Sequence, residues 1–250
     1  MSARHFEIIK RPELIVPEAA LRRRSICYSG EPATCTFEAA SSIADVANTH
    51  THSGLKFGPE SSDRILIVTL SNEDNSDGHL TNVTIGGVPA TRLVRRFFNQ
   101  NFPTTATPSS EIWAAQVPTG TSGSVVLNFN TGGNAWDSAV AVYAATGLRS
   151  MTPTATAGGD DVSHFGTLNL SATVQGGGFV IATAYFEGTG AATSATWTGI
   201  TQTFFKQIDT GSGAQSDGLA FASSTQSIST TTKFNGGSLL QIVGCIAAFR

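Results

Sequence analysis

Residues 167–174 read Thr-Leu-Asn-Leu-Ser-Ala-Thr-Val, and this strict alternation dictates an extended strand with Leu168, Leu170, Ala172 and Val174 on one face. Thr167, Asn169, Ser171 and Thr173 occupy the other face, which must meet solvent or a polar neighbour. Helical periodicity is nearly absent. From about Thr36 onward, short β-type runs are separated by Gly, Asn, Asp and Pro at intervals that suit a sandwich or barrel.

Those runs give the expected order of elements. Residues 64–70 form a continuous apolar strand buried on both faces. Residues 83–85 and 90–98 flank Gly86-Gly87, a pair suited to the positive φ angles of a tight hairpin. Residues 112–117 and 124–129 lie either side of a Gly/Thr/Ser turn, with Val125, Leu127 and Phe129 sharing a face. Further strands are expected at 138–144, 179–186, 195–197, 219–224, 227–234 and 239–249. The total of roughly a dozen fits an antiparallel sandwich of two sheets, jelly-roll-like in type. The last run is apolar enough for a central strand, so the body resists division into two independent halves, and no repeat at a fixed period is evident. Residues 99–110 and 149–166 are expected to be long exposed loops, and Thr/Ser-rich 227–234 an edge strand.

Charge is unevenly spread. Charged residues make up 13% of the chain, against about 25% in an ordinary soluble domain. Eleven of them fall within residues 1–40, whereas residues 97–250 hold four basic and seven acidic side chains. We therefore divide the chain into a polar N-terminal arm, 1–40, and a β-sandwich domain, 41–250. Pro17 opens a short helical pattern that ends at Arg22, Arg23 and Arg24, a cluster able to dock on an acidic partner or simply face water. The net charge of -3 opposes nucleic-acid binding, which needs clustered cations. No apolar stretch reaches the roughly 18 residues of a membrane span, and no signal-peptide core opens the chain.

Chemical signatures are sparse. No nucleophile elbow, phosphate-binding glycine loop or paired-histidine zinc motif occurs. His50 and His52 alternate and so share a strand face, but no third metal ligand lies nearby in sequence; exposed polar residues near a strand edge are the simpler account. Glu73, Asp74 and Asp77, and again Asp160 and Asp161, sit in patterns typical of solvated turns. Glu111, Asp137 and Glu187 are of the type that glycosidases pair, yet nothing in the sequence joins two of them. No metal site and no cofactor is expected. Cys27 and Cys35 can close a small disulfide loop around Gly30 and Pro32; the competing reading, three reduced thiols including Cys245, suits a bacterial cytoplasm. Trp113 is expected in the core. Trp136, within a Gly-Gly-Asn-Ala-Trp-Asp-Ser turn, is the best candidate for stacking on a sugar ring, with a capping role at the sandwich end as its alternative.

The series SGLKFG, SSDRILIVTLS, VTIGGVPAT, EIWAAQVPTGTSGSVVLNF and AVAVYAATGL, followed by ATWTGI and an apolar last strand, covers roughly two hundred residues. It resembles β-sandwich virion proteins of tailed phages, found with tail, appendage and decoration genes, particularly in phages of alphaproteobacterial hosts. The resemblance implies a non-enzymatic virion component that binds other virion proteins, as a capsid decoration, neck or tail part assembled in the host cytoplasm. A homo-oligomer is expected, a trimer among the options. The alternative is a carbohydrate- or receptor-binding module at a fibre tip, with a host glycan as partner.

Overall fold

β-Branched and aromatic side chains between Gly-rich turns leave the backbone extended, and the computed structural model shows what those strands pair with. It describes residues 31–75, 80–98, 106–130, 135–161, 166–209, 213–236 and 238–250. Nine strands come first: β1 (Thr34–Ile43), β2 (Thr49–Lys56), β3 (Ile65–Asn75), β4 (Leu80–Ile85), β5 (Val88–Pro89), β6 (Thr91–Phe97), β7 (Ala106–Gln116), β8 (Ser122–Phe129) and β9 (Ala135–Thr146). Eight follow: β10 (Ala155–Asp161), β11 (Thr167–Val174), β12 (Gly178–Thr189), β13 (Ser194–Thr198), β14 (Thr201–Gln207), β15 (Gly213–Ala222), β16 (Gln226–Asn235) and β17 (Ser238–Phe249). Every pairing is antiparallel. The all-β, sheet-packed fold read from the sequence is the observed one.

The strands form four sheets rather than the two expected. A five-stranded sheet, β1-β9-β3-β7-β6, packs on a four-stranded one, β2-β8-β4-β5; a second five-stranded sheet, β10-β17-β12-β15-β14, packs on a three-stranded one, β11-β16-β13. Leu66, Val68 and Leu70 meet Val83, Val125 and Leu127 in the first core, and Val180, Ala182 and Ala184 meet Leu168, Leu170 and Ala172 in the second. The two five-stranded sheets then face each other, burying Ile65, Ile67 and Tyr143 against Phe179, Ile181 and Phe249. These sheets are therefore covered on both faces, which is why β3, β12 and β17 read as unbroken apolar runs.

The two sandwiches repeat one plan. Replacing β1, β2, β3, β4, β6, β7, β8 and β9 by β10 to β17 in turn converts the first pair of sheets into the second, with only β5 left over. Local irregularities repeat as well. The β3–β9 ladder slips after Glu73 and the β12–β17 ladder after Glu187. The β6–β7 ladder slips between Arg92 and Val94 and the β14–β15 ladder between Gln202 and Phe204. Two sandwiches of like plan thus pack as one compact unit, Glu31–Arg250, in keeping with the expectation that the body resists division. β17 is indeed central, between β10 and β12, but only of its own half.

Other expectations need correction. β1 begins at Thr34, so the boundary at residue 40 falls inside a strand paired along its length with β9. β10 occupies much of the expected loop 149–166: its Gly-rich backbone pairs with β17 from Asp161 to Ala155 at an edge where few apolar side chains are needed. Residues 106–110 of the other expected loop open β7. β16 lies between β11 and β13, so Thr/Ser-rich 227–234 is not an edge: its outward hydroxyls bond across the sheet, as Thr231 does to Asn169 at 2.6 Å.

Candidate functional site

Antiparallel pairing with alternation between sheets fixes where the connections go. Those after β1, β3, β6, β8, β10, β12, β14 and β16 leave from one end of the strands. Residue 31 and Arg250 lie at the opposite end, where Ala33 N–H donates to the Gly177 carbonyl and Arg149 N–H to that of Arg250. A buried polar row and a set of buried carboxyl groups lie at the first end.

In the first sandwich the polar end of the core is a row across three strands. Asn72 on β3 pairs in register with Ser138 on β9 and Ser109 on β7. His50 and His52 project onto this row from β2. They share one face, as expected, but both are buried rather than exposed. His50 Nε2–H donates to the Asp45 carbonyl (3.0 Å), which leaves Nδ1 to accept the Ser138 hydroxyl proton (2.6 Å). Ser138 Oγ then accepts from His52 Nε2–H (3.0 Å), and His52 Nδ1 has no hydrogen-bond partner. Burial pushes both imidazoles down, and neighbouring His50 adds to the effect on His52, taking it to about 4. Both rings are neutral near pH 7, as this tautomer chain requires. The corresponding row of the second sandwich, Ile242-Phe186-Ala214, is apolar. The polar row is a specialisation of one half.

Next to it, at the seam between the five-stranded sheets, lies a set of carboxyl groups that sequence reasoning left scattered. Asp137 accepts the Tyr185 hydroxyl proton (3.2 Å) and the Glu73 amide (3.0 Å). Burial raises its carboxyl to about 7, with the charges of Asp209 and Glu187 contributing. Glu187, also raised by burial, accepts from the Gln241 amide. The structure therefore brings Asp137 and Glu187 into one neighbourhood while Glu111 stands apart, in the first core with Arg95 at 2.9 Å and the Trp113 indole N–H at 2.8 Å. A cleft of about 510 Å³ opens at the seam, lined by Ala44, Ala191, Gln207, Ile208 and Asp209.

Trp136 sits at the start of β9 with 39% of its surface exposed. The Ala47–Ala135 bridge places it beside Val46, another exposed apolar side chain. The candidate for sugar stacking is thus presented to solvent, at the end of the strands away from residue 31 and Arg250. Trp113 is in the core, as expected. Asp160 and Asp161 are not in a solvated turn but in β10: Asp160 pairs with Arg96, and Asp161 accepts the Thr167 amide at 3.1 Å. Glu73 and Asp74 lie in β3 rather than in a solvated turn, and Asp77 lies outside the described residues.

Arg22, Arg23, Arg24 and Cys27 lie outside the described residues. Cys35 is a free thiol buried between the five-stranded sheets, as is Cys245. Among the described residues no three His, Cys, Asp or Glu side chains are grouped to hold a metal, and no helix is long and apolar enough to cross a membrane. No family model matches the chain, and no curated protein matches it.

Proposed function

We propose that this chain is a structural protein of a tailed-phage virion, a capsid decoration, neck or tail component that works through protein–protein contacts. The strand order of each sandwich, crossing between sheets at every connection except β4–β5, β6–β7 and β14–β15, is jelly-roll-like in this reading. One observation carries the functional reading: exposed Trp136 and the buried polar row of His50, His52 and Ser138 lie at one end of the strands, while residue 31 enters at the other. Residues 1–30, with Arg22, Arg23 and Arg24, form the attachment arm in this reading and join an acidic neighbour on the particle. The opposite end is then presented outward. Such a role needs no cofactor, and its ionisable groups serve packing: the buried carboxylates are held by internal donors. Partners are other virion proteins, with a homo-oligomer as the assembled form.

The test is rebinding to particles that lack the protein. Full-length chain joins them, and a variant starting at residue 31 remains in the supernatant; equal binding by both rejects the arm as the attachment. Exposure of Trp136 beside Val46 favours a second reading, a host-glycan or receptor contact at the outward end. There, Trp136→Ala abolishes binding on a glycan array; a wild-type protein that binds no sugar at millimolar concentration rejects it.

A further inference from the structure

The contacts between the two sandwiches come in exchanged pairs. At one margin of the seam β1 meets β14, where the Phe37 and Phe204 rings stack with centroids 6.1 Å apart. At the other margin β6 meets β10, where Arg96 pairs with Asp160. Under the strand correspondence β1 matches β10 and β14 matches β6, so the two margins are the same contact made twice with the halves exchanged. The inner strands behave alike. β9 reaches β15 through the Tyr143 hydroxyl and Asp217 (3.3 Å), and β17 reaches β7 through the Cys245 thiol and the Ser110 carbonyl (3.1 Å); β9 matches β17 and β15 matches β7. At the centre, β3 lies against its own counterpart β12, with Ile65 and Ile67 facing Phe179 and Ile181.

Contacts in which i meets j and j meets i define an isologous interface, the kind that joins identical subunits about a two-fold axis. We infer that the two sandwiches recognise each other as the halves of an isologous dimer, and that residues 147–154 are a tether between them rather than part of the association. The partner surface of each half is thus the five-stranded sheet of the other. That face is largely apolar on both sides, around a few polar groups such as Thr69, Tyr143 and Asp217, and a free half would have to expose it to water. The tether raises the local concentration of one half around the other but adds no surface to the seam beyond the partly buried Leu148 and Met151. Equivalent strands are separated by a spacing that shrinks along the chain, from β1 and β10 to β9 and β17, as the second half uses shorter connections. The duplication therefore leaves no fixed period in the sequence.

The experiment is a cut in the folded chain. A protease site inserted after Ser150, whose side chain is exposed, is cleaved in purified full-length protein, and the product is diluted to nanomolar concentration and weighed by native mass spectrometry. The cleaved pair stays one-to-one, and it re-forms one-to-one after unfolding in urea and dilution. Separation of the two pieces on dilution, or failure of the cleaved pair to re-form while the uncut chain refolds, would overturn the inference. Ile67→Asp in the same cleavable chain adds a second reading: it raises the concentration needed to hold the cut pair together by at least tenfold if the seam is the recognition surface, and no change contradicts it.

Discussion

Arg64 is the largest of the fully buried side chains among the described residues. Its guanidinium donates to six backbone carbonyls, those of Phe57, Gly58, Pro59, Val117, Thr119 and Gly120, at 2.7–3.2 Å. Two connections of the first sandwich are thereby held together by one planar fork. Arg64→Met strands those carbonyls and is expected to cost at least about 3 kcal/mol in urea unfolding. Arg64→Lys, with three donors on a flexible stem, loses an intermediate amount; equal stability of all three proteins contradicts this role. Titration acts at the same scale and in two directions. Asp137 and Asp217 are raised from 3.8 to about 7 and about 6, so the native state keeps protons that the unfolded chain releases. Their contribution is complete below about pH 4 and is lost as pH rises toward 7. His52 is lowered from 6.5 to about 4, so its contribution is present above 6.5 and lost as pH falls toward 4. Urea midpoints measured from pH 4 to 8 should show Asp137→Asn flattening the alkaline decline and His52→Gln flattening the acid one; parallel profiles for wild type and both variants would contradict the assignment. In the sequence, the shared face of His50 and His52 was legible because spacing along one strand sets it. Ser138 and the carbonyl cage were not, since those partners are brought in by pairing between distant strands.

Strands differ in how plainly their residues announce them. β11 was readable to the residue, because one face packs on a core and the other is polar. β10 and β14 were not: an edge strand pairs through its backbone on one side only, and Ala-Thr-Ala-Gly-Gly-Asp-Asp has too little apolar alternation to signal it. The turns joining β4 to β5 and β13 to β14 make a matched comparison within one molecule. Gly87 and Gly199 have φ of 81° and 83°, yet a Cβ at Gly87 meets nothing within 4 Å whereas one at Gly199 would lie 2.1 Å from the Ser229 carbonyl oxygen. Gly87→Ala should therefore cost only the backbone strain, about 1–2 kcal/mol. Gly199→Ala adds a clash with fixed backbone and should cost clearly more. Thermal unfolding of the two variants side by side checks the order, and equal losses would mean that the β13–β14 turn moves aside.

At the scale of the whole molecule, the sequence conveyed the class of the fold but not its doubling. The apolar run at β3 signalled a strand covered on both faces, and the interface between the two five-stranded sheets is what covers its second face. The polar row Ser138-Asn72-Ser109 is visible as a departure only against Ile242-Phe186-Ala214, and that comparison exists only once the halves are aligned by structure. Two sandwiches of one plan that differ at one end suit a module that keeps a rigid body and varies its contacts at that end. In the function proposed above, residues 1–30 attach the chain to the particle and the far end of the sandwiches faces outward. Quantitative mass spectrometry of purified phage particles from the host that encodes this chain tests that claim most directly. The account predicts the full-length polypeptide at many copies per particle, retained through washing at high salt; its absence from particles, with the protein abundant in the infected cell, would contradict it.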